Sequence, residues 1–294
     1  MEVVLALDVG GTTVAGDVMA PQGQPLGEAR GGPSPEGEPA EVIVGRLAGL
    51  LVELRGAARA GGLVPVAAGL ALPGPFDYQA GISRMRHKFA SLYGRDLKEP
   101  LEDAVGMPVY FLNDALAFTL GAWWAEHQDE ARLLGITVGT GLGAGFVVGG
   151  RPAGEEEGSR ELWDFPYGPS GEGILEDAVS ARAVERLHRD LGGKAGLGVE
   201  GIAHRARGGE EAAAEAFRSL GRALGEGLAL GAGGFRPGRV ACGGQISKAF
   251  ELFGRHAEDA FAATAGWRVP FFSSGRDDLP LMGVARFVRL ELER

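Results

Sequence analysis

Hydrophobic positions along the chain alternate between short β-branched runs and longer stretches at helical spacing. An apolar run, Val3 to Leu7, reaches Asp8, turns through Gly10, Gly11, Thr12 and Thr13, and resumes as VAGDV, which predicts a hairpin. Residues 21–39, rich in Gly, Pro and Glu, read as turns and loop. Ile43, Leu47, Leu50, Leu51 and Leu54 fall on one helical face, so a helix is expected over 41–60, closed by Gly61 and Gly62. A buried strand over 64–72 follows, ending in a rigid Pro73-Gly74-Pro75 turn. A strand over 108–112 delivers Asn113 and Asp114 to the start of a helix, ALAFTLGAWWAEH.

The opening theme then returns. Residues 132–150 read as strand, Gly-Thr turn (Gly139, Thr140, Gly141, Leu142, Gly143) and strand. Helices are expected over 177–191, 197–207 and 212–230, the last interrupted by Gly221, Gly225 and Gly227 where a neighbour packs closely. A strand over 239–242, a Gly243-Gly244-Gln245 turn, a helix over 246–263, a strand over 269–273 and a helix over 281–292 complete the pattern. Strands alternating with helices predict an α/β protein, and the two similar hairpins suggest a duplicated architecture that pinches one polyphosphate from both sides.

Composition narrows the ligand. Of 294 residues 51 are glycine, more than twice the ordinary share of about 7%, so tight turns and close backbone approaches are expected. The net charge of −10 speaks against a nucleic-acid surface, leaving an anionic ligand to be held by backbone donors and a cation. Cys242 is the only cysteine, which excludes an intramolecular disulfide and a cysteine zinc cluster, and it reads as a small core residue. With no leader pattern and no membrane-length apolar run, a cytoplasmic protein is expected.

Several segments carry two readings. Glycines at a hairpin tip let backbone N–H groups approach an anion, and the Asp8 carboxylate can hold magnesium through water; the alternative is an ordinary glycine hairpin. Asn113-Asp114 is either a helix cap or, for Asp114, a carboxylate placed to accept a hydroxyl proton. Glu155, Glu156 and Glu157 form a solvated loop or supply one carboxylate to sugar hydroxyls. Arg84, Arg86, His87 and Lys88 form a solvated or a substrate-contacting loop, and the segment from Trp163 to Tyr167 receives no role. Gly139, Gly141 and Ala144 match a dinucleotide-fingerprint spacing, but a strand-like FVV follows where that fingerprint needs a helix.

Taken in order, Asp8-Val9-Gly10-Gly11-Thr12, Leu72-Pro73-Gly74-Pro75, Asn113-Asp114, Val138-Gly139-Thr140-Gly141-Leu142-Gly143 and Cys242-Gly243-Gly244 resemble the ROK family of sugar kinases. That resemblance implies a two-domain actin-like ATPase (ribonuclease H-like) fold with an interdomain cleft. The smaller domain would span 1–112 with 279–294, and the larger, 113–278, would carry the adenosine site and the dimer contacts. It implies ATP-dependent phosphorylation of a hexose or hexosamine, with closure of the two domains over the substrate. Asp8 would orient Mg2+, Gly10, Gly11, Thr12 and Thr13 would cradle phosphates, and Gly139, Thr140, Gly141 and Gly143 would form the second phosphate loop. Gly243 and Gly244 would sit by the adenosine. Asp114 would be the base, with Gly74, Asn113, Glu156, Ser159 and Glu176 around the sugar.

The chain departs from that family where Ser159 stands in place of a histidine and the cysteines of a zinc loop are missing, so no structural zinc is expected. The rebuilt loop lies at the specificity site. A homodimer is expected from the family. A sugar- or nucleotide-binding protein with weak kinase activity is the alternative, and a DNA-binding repressor is disfavoured because only two residues precede the first strand, leaving no helix-turn-helix.

Overall fold

The computed structural model describes residues 1–168 and 171–294. They form two compact units, Met1–Gln128 with Asp277–Arg294, and Asp129–Arg276.

In the first unit, β1 (Glu2–Val9) and β2 (Thr13–Met19) form the expected antiparallel hairpin. A short edge strand, β3 (Arg30–Pro33), adds to β2 within the segment expected as loop. Helix α1 (Ala40–Ala60) leads to β4 (Val64–Leu72), which runs parallel to β1. A two-stranded ribbon, β5 (Phe76–Asp77) with β6 (Ile82–Ser83), and helix α2 (Lys98–Val105) precede β7 (Val109–Asn113), parallel to β4. The sheet order is β3-β2-β1-β4-β7. Val3 to Leu7 are all buried because β1 is central, and Ile43, Leu47, Leu51 and Leu54 of α1 seal one face.

Helix α3 (Asp114–Glu126) and the C-terminal helix (Leu279–Leu292) pack together. A Cβ at Gly121 would overlap the backbone of Leu279, and one at Gly283 would overlap that of Ala117, so these glycines allow backbone-to-backbone contact. Residues 113–128 therefore group with 1–112, whereas the sequence reading places them in the second domain. The buried face of α3 is completed by the terminal helix of the same unit.

The second unit repeats the plan. β8 (Arg132–Val138) and β9 (Leu142–Val148) form a hairpin extended by β10 (Arg151–Pro152). β11 (Pro166–Tyr167) and β12 (Gly173–Ile174) make a small ribbon before α4 (Leu175–Ala178), α5 (Ala181–Asp190), α6 (Val199–Arg207) and α7 (Glu211–Ala232). Then come β13 (Arg239–Gly243), α8 (Phe250–Ala265) and β14 (Phe271–Phe272), giving the order β10-β9-β8-β13-β14. This is the order of the first sheet, strand for strand.

Gly221 and Gly225 of α7 lie against the backbone of α8, and Gly227 against Leu175, the close packing that the glycine spacing predicts. Two helices differ from expectation. The stretch 177–191 breaks at Val179 and Ser180, because the Ala181 N–H leaves helical bonding and donates to the Gly139 carbonyl at 2.8 Å. The stretch 246–263 begins as a 3-10 turn, Gln245–Ala249, after Gly244 adopts φ +83°.

Candidate active site

In the first unit three parallel strands end side by side: Asp8 pairs with Ala71, and Leu72 with Asn113. The carboxyl ends of parallel strands are where α/β sheets place ligands. Around this edge gather Asp8, the Gly74 turn, Asn113 and Asp114.

The hairpin beside Asp8 is closed by Gly10 N–H donating to the Thr13 carbonyl at 2.9 Å. The N–H groups of Gly11 and Thr12 have no partner among the described residues, and the Thr12 and Thr13 side chains are exposed. Successive free N–H groups with two hydroxyls suit an anion.

The Asp8 carboxylate likewise has no hydrogen-bond or ion-pair partner among the described residues. Burial pushes its carboxyl up to about 7, and the nearby Asp114 carboxylate adds to the shift. A buried carboxyl with no neutralising partner fits a hydrated divalent cation, whose charge would favour its ionised form. Among the described residues no three His, Cys, Asp or Glu side chains form a metal cage by themselves.

Of the two readings left open for Asn113-Asp114, the helix cap is present. Asn113 Oδ1 accepts from Ala115 N–H (3.0 Å) and Leu116 N–H (3.1 Å), so it caps α3. Asp114 Oδ1 accepts from Ala115 N–H at 2.8 Å. Burial raises the Asp114 pKa, while the Ala115 N–H and the Lys88 ammonium pull it back down. A carboxyl raised by burial is a stronger base than an exposed one.

In the second unit the tip is closed by Gly139 N–H donating to Gly141 carbonyl at 2.9 Å, leaving the N–H groups of Thr140 and Gly141 without partners among the described residues. Glu176 Oε2 accepts from Leu142 N–H at 3.0 Å, and its Oε1 takes Arg182 at 3.1 Å. Glu176 is thus tied to the second glycine-threonine turn. A Cβ at Gly244 would lie 2.5 Å from the Val138 carbonyl oxygen, so only glycine lets this turn rest on the base of the hairpin. Gly243 pairs with Thr137.

The three-glutamate run is sorted by the fold. Glu157 caps a 3-10 turn through the Gly154 N–H (3.0 Å), and its carbonyl receives Arg132. Glu156 is exposed and unpartnered among the described residues, and Ser159 is half-buried, its N–H donating to Gly154 carbonyl at 3.2 Å. The Trp163 to Tyr167 segment gains a role: the carbonyls of Phe165 and Trp163 accept from Leu175 and Glu176 N–H, clamping the start of α4. Cys242 is buried with its thiol pushed up to about 12, so it is no nucleophile at neutral pH.

Sequence reasoning missed Tyr78. Its hydroxyl donates to the Leu72 carbonyl (3.1 Å) and accepts from Asn113 Nδ2 (3.2 Å). An aromatic residue just after a Pro-Gly-Pro turn was the only available signal.

Two sheets of one order, each opening on a glycine-threonine hairpin, define the actin-like ATPase class of fold. Residues 4–289 match the ROK family model, and the chain belongs to the ROK family. It is 29% identical over 196 residues to a glucokinase of Thermotoga maritima, the match covering 64% of this chain and 60% of that relative. Among solved structures, a ROK hexokinase from Thermus thermophilus is 29% identical at TM-score 0.80, covering 99% of both chains. A ROK glucokinase from Streptomyces griseus in complex with glucose and AMPPNP is 25% identical at TM-score 0.77, covering 96% of this chain and 98% of that one.

Proposed function

We propose that the protein is an ATP-dependent sugar kinase that phosphorylates a hydroxyl of a hexose or hexosamine, with Asp114 as general base. The observation that carries this reading is the pair of raised carboxyls, Asp8 and Asp114, at one edge of the first sheet. One is left for a cation and the other for a proton.

Asp114 takes the proton of the acceptor hydroxyl as its oxygen attacks the γ-phosphorus of ATP. The bond from the γ-phosphorus to the β–γ bridging oxygen breaks, ADP leaves, and the proton stays on Asp114 until solvent removes it. Asn113, Gly74, Glu156, Ser159 and Glu176 contact the sugar. Gly10 to Thr13 and Gly139 to Gly143 donate to phosphate oxygens, and Gly243 with Gly244 lies along the adenosine. Mg2+, when bound, would neutralise charge on the phosphates, and the Asp8 carboxylate would hold it. The reading includes a homodimer in the cytoplasm; among the described residues no helix is long and apolar enough to cross a membrane.

Asp114→Ala tests the assignment. Loss of a positioned general base lowers turnover by about 10²–10⁴-fold, while ATP affinity, measured by calorimetry, stays within about twofold. Normal turnover in the variant would remove Asp114 from this role.

A further inference from the structure

The amide of Asn113 is fixed from both sides. Its Oδ1 is committed to two N–H groups of α3, which leaves the Nδ2 end facing the strand edge. One Nδ2 hydrogen goes to the Tyr78 hydroxyl, and that hydroxyl in turn donates to the carbonyl of Leu72, the residue paired with Asn113 across β4 and β7. A Cβ at Gly74 would sit 3.4 Å from the Tyr78 hydroxyl and 3.9 Å from Asn113 Nδ2, so the Gly74 turn lies directly over this bridge. The Tyr78 ring is anchored at 5.2 Å, centroid to centroid, from Phe76, which packs at 5.4 Å on Phe111. The ribbon that carries it is tied back to the same turn, Arg84 N–H donating to Pro75 carbonyl at 3.1 Å.

We propose that Tyr78 is a positioning residue for the acceptor: its hydroxyl locks the Asn113 amide against the Gly74 turn, so that the remaining Nδ2 hydrogen meets an acceptor oxygen. This inference rests on the sugar-kinase reading and deepens it. The remaining Nδ2 hydrogen is a donor beside the Gly74 turn. It therefore selects an acceptor that presents a hydroxyl or carbonyl oxygen as hydrogen-bond acceptor, and it disfavours a deoxy analogue lacking that oxygen.

Rotation of the amide would break the cap bonds of α3, and loss of the hydroxyl frees the amide to tilt. Tyr78 thus acts on ground-state sugar binding more than on the phosphoryl step.

The test is Tyr78→Phe, which keeps the ring packing. The expected result is a KM for the sugar raised about tenfold, equivalent to about 1.4 kcal/mol, with kcat within about threefold and the KM for ATP unchanged. An unchanged sugar KM overturns the proposal, and so does a joint rise of both KM values with a lowered melting temperature, which marks general damage.

A second readout needs no turnover. In 15N-labelled, ligand-free protein the Asn113 side-chain amide resonances, identified by their loss in Asn113→Asp, shift in Tyr78→Phe. Unmoved resonances overturn the assignment of Tyr78 alone. A wild-type protein silent toward every sugar overturns the kinase reading and the acceptor role with it.

Discussion

The two glycine hairpins occupy the same place in two sheets of the same order, yet they are finished differently. In the first, Asp8 stands one residue before the end of β1; in the second, the corresponding position of β8 is Thr137. Each tip exposes two unpaired N–H groups, and each has a glutamate close to a tip glycine: a Cβ at Gly11 would lie 2.8 Å from Glu36 Oε2, and one at Gly141 2.6 Å from Glu176 Oε2. The first tip sets its donors beside an unneutralised carboxyl, with Asp114 nearby. The second is a neutral donor set braced by Glu176 and by the Ala181 tether. The two tips share their donor geometry and differ at one strand position, Asp8 against Thr137.

Asp8→Asn should break this contrast most strongly. Losing the carboxylate proposed to hold the cation should lower kcat by about 100-fold or more, read in a magnesium titration. It should also change stability. The Asp8 pKa rises from 3.8 to about 7 on folding, so the folded form binds its proton more tightly. Its contribution to stability is present below about pH 4 and is lost as pH climbs through about 7. The melting temperature of metal-free protein should therefore decline over that window, and Asp8→Asn should flatten the decline. An equally steep decline in the variant would assign the effect to other groups.

Glu176→Gln keeps the shape of the second brace and removes its charge. A charge-assisted hydrogen bond to Leu142 N–H is weakened, and the partly exposed Arg182 pair adds little. The KM for ATP and the KM for the sugar should both rise about threefold to tenfold, because Glu176 braces the second tip and is proposed to contact the sugar. Two unchanged KM values would remove Glu176 from the site.

The smallest effect is a shift in pH dependence from Lys88→Met. The Lys88 ammonium lowers the Asp114 pKa, so without it the base protonates at higher pH. The acidic limb of the kcat/KM profile should move toward higher pH with kcat on the plateau preserved. A limb that stays in place would show that Lys88 does not act on the base.

Much of this was legible in the chain, for local reasons. The β1 hairpin could be read because the apolar run, the carboxylate and the glycine-threonine tip are contiguous. The cap at Asn113 was visible, since it follows from a strand meeting a helix. What stayed hidden depends on pairing across distance. Glu176 reaches the N–H of Leu142, and Tyr78 reaches Asn113, through strand ends that no sequence spacing announces. β3 was hidden because Arg30–Pro33 carries two glycines and a proline and gains its strand form only by pairing with β2. The grouping of α3 with the first unit follows from Gly121 and Gly283, whose meaning appears only when two helices touch.

The central claim meets its most direct test in a coupled ADP-release assay with magnesium-ATP and a panel of glucose, mannose, fructose, N-acetylglucosamine, N-acetylmannosamine and allose. Sugar-dependent ADP release with one preferred acceptor is expected. ATP binding without ADP release for any sugar would contradict it.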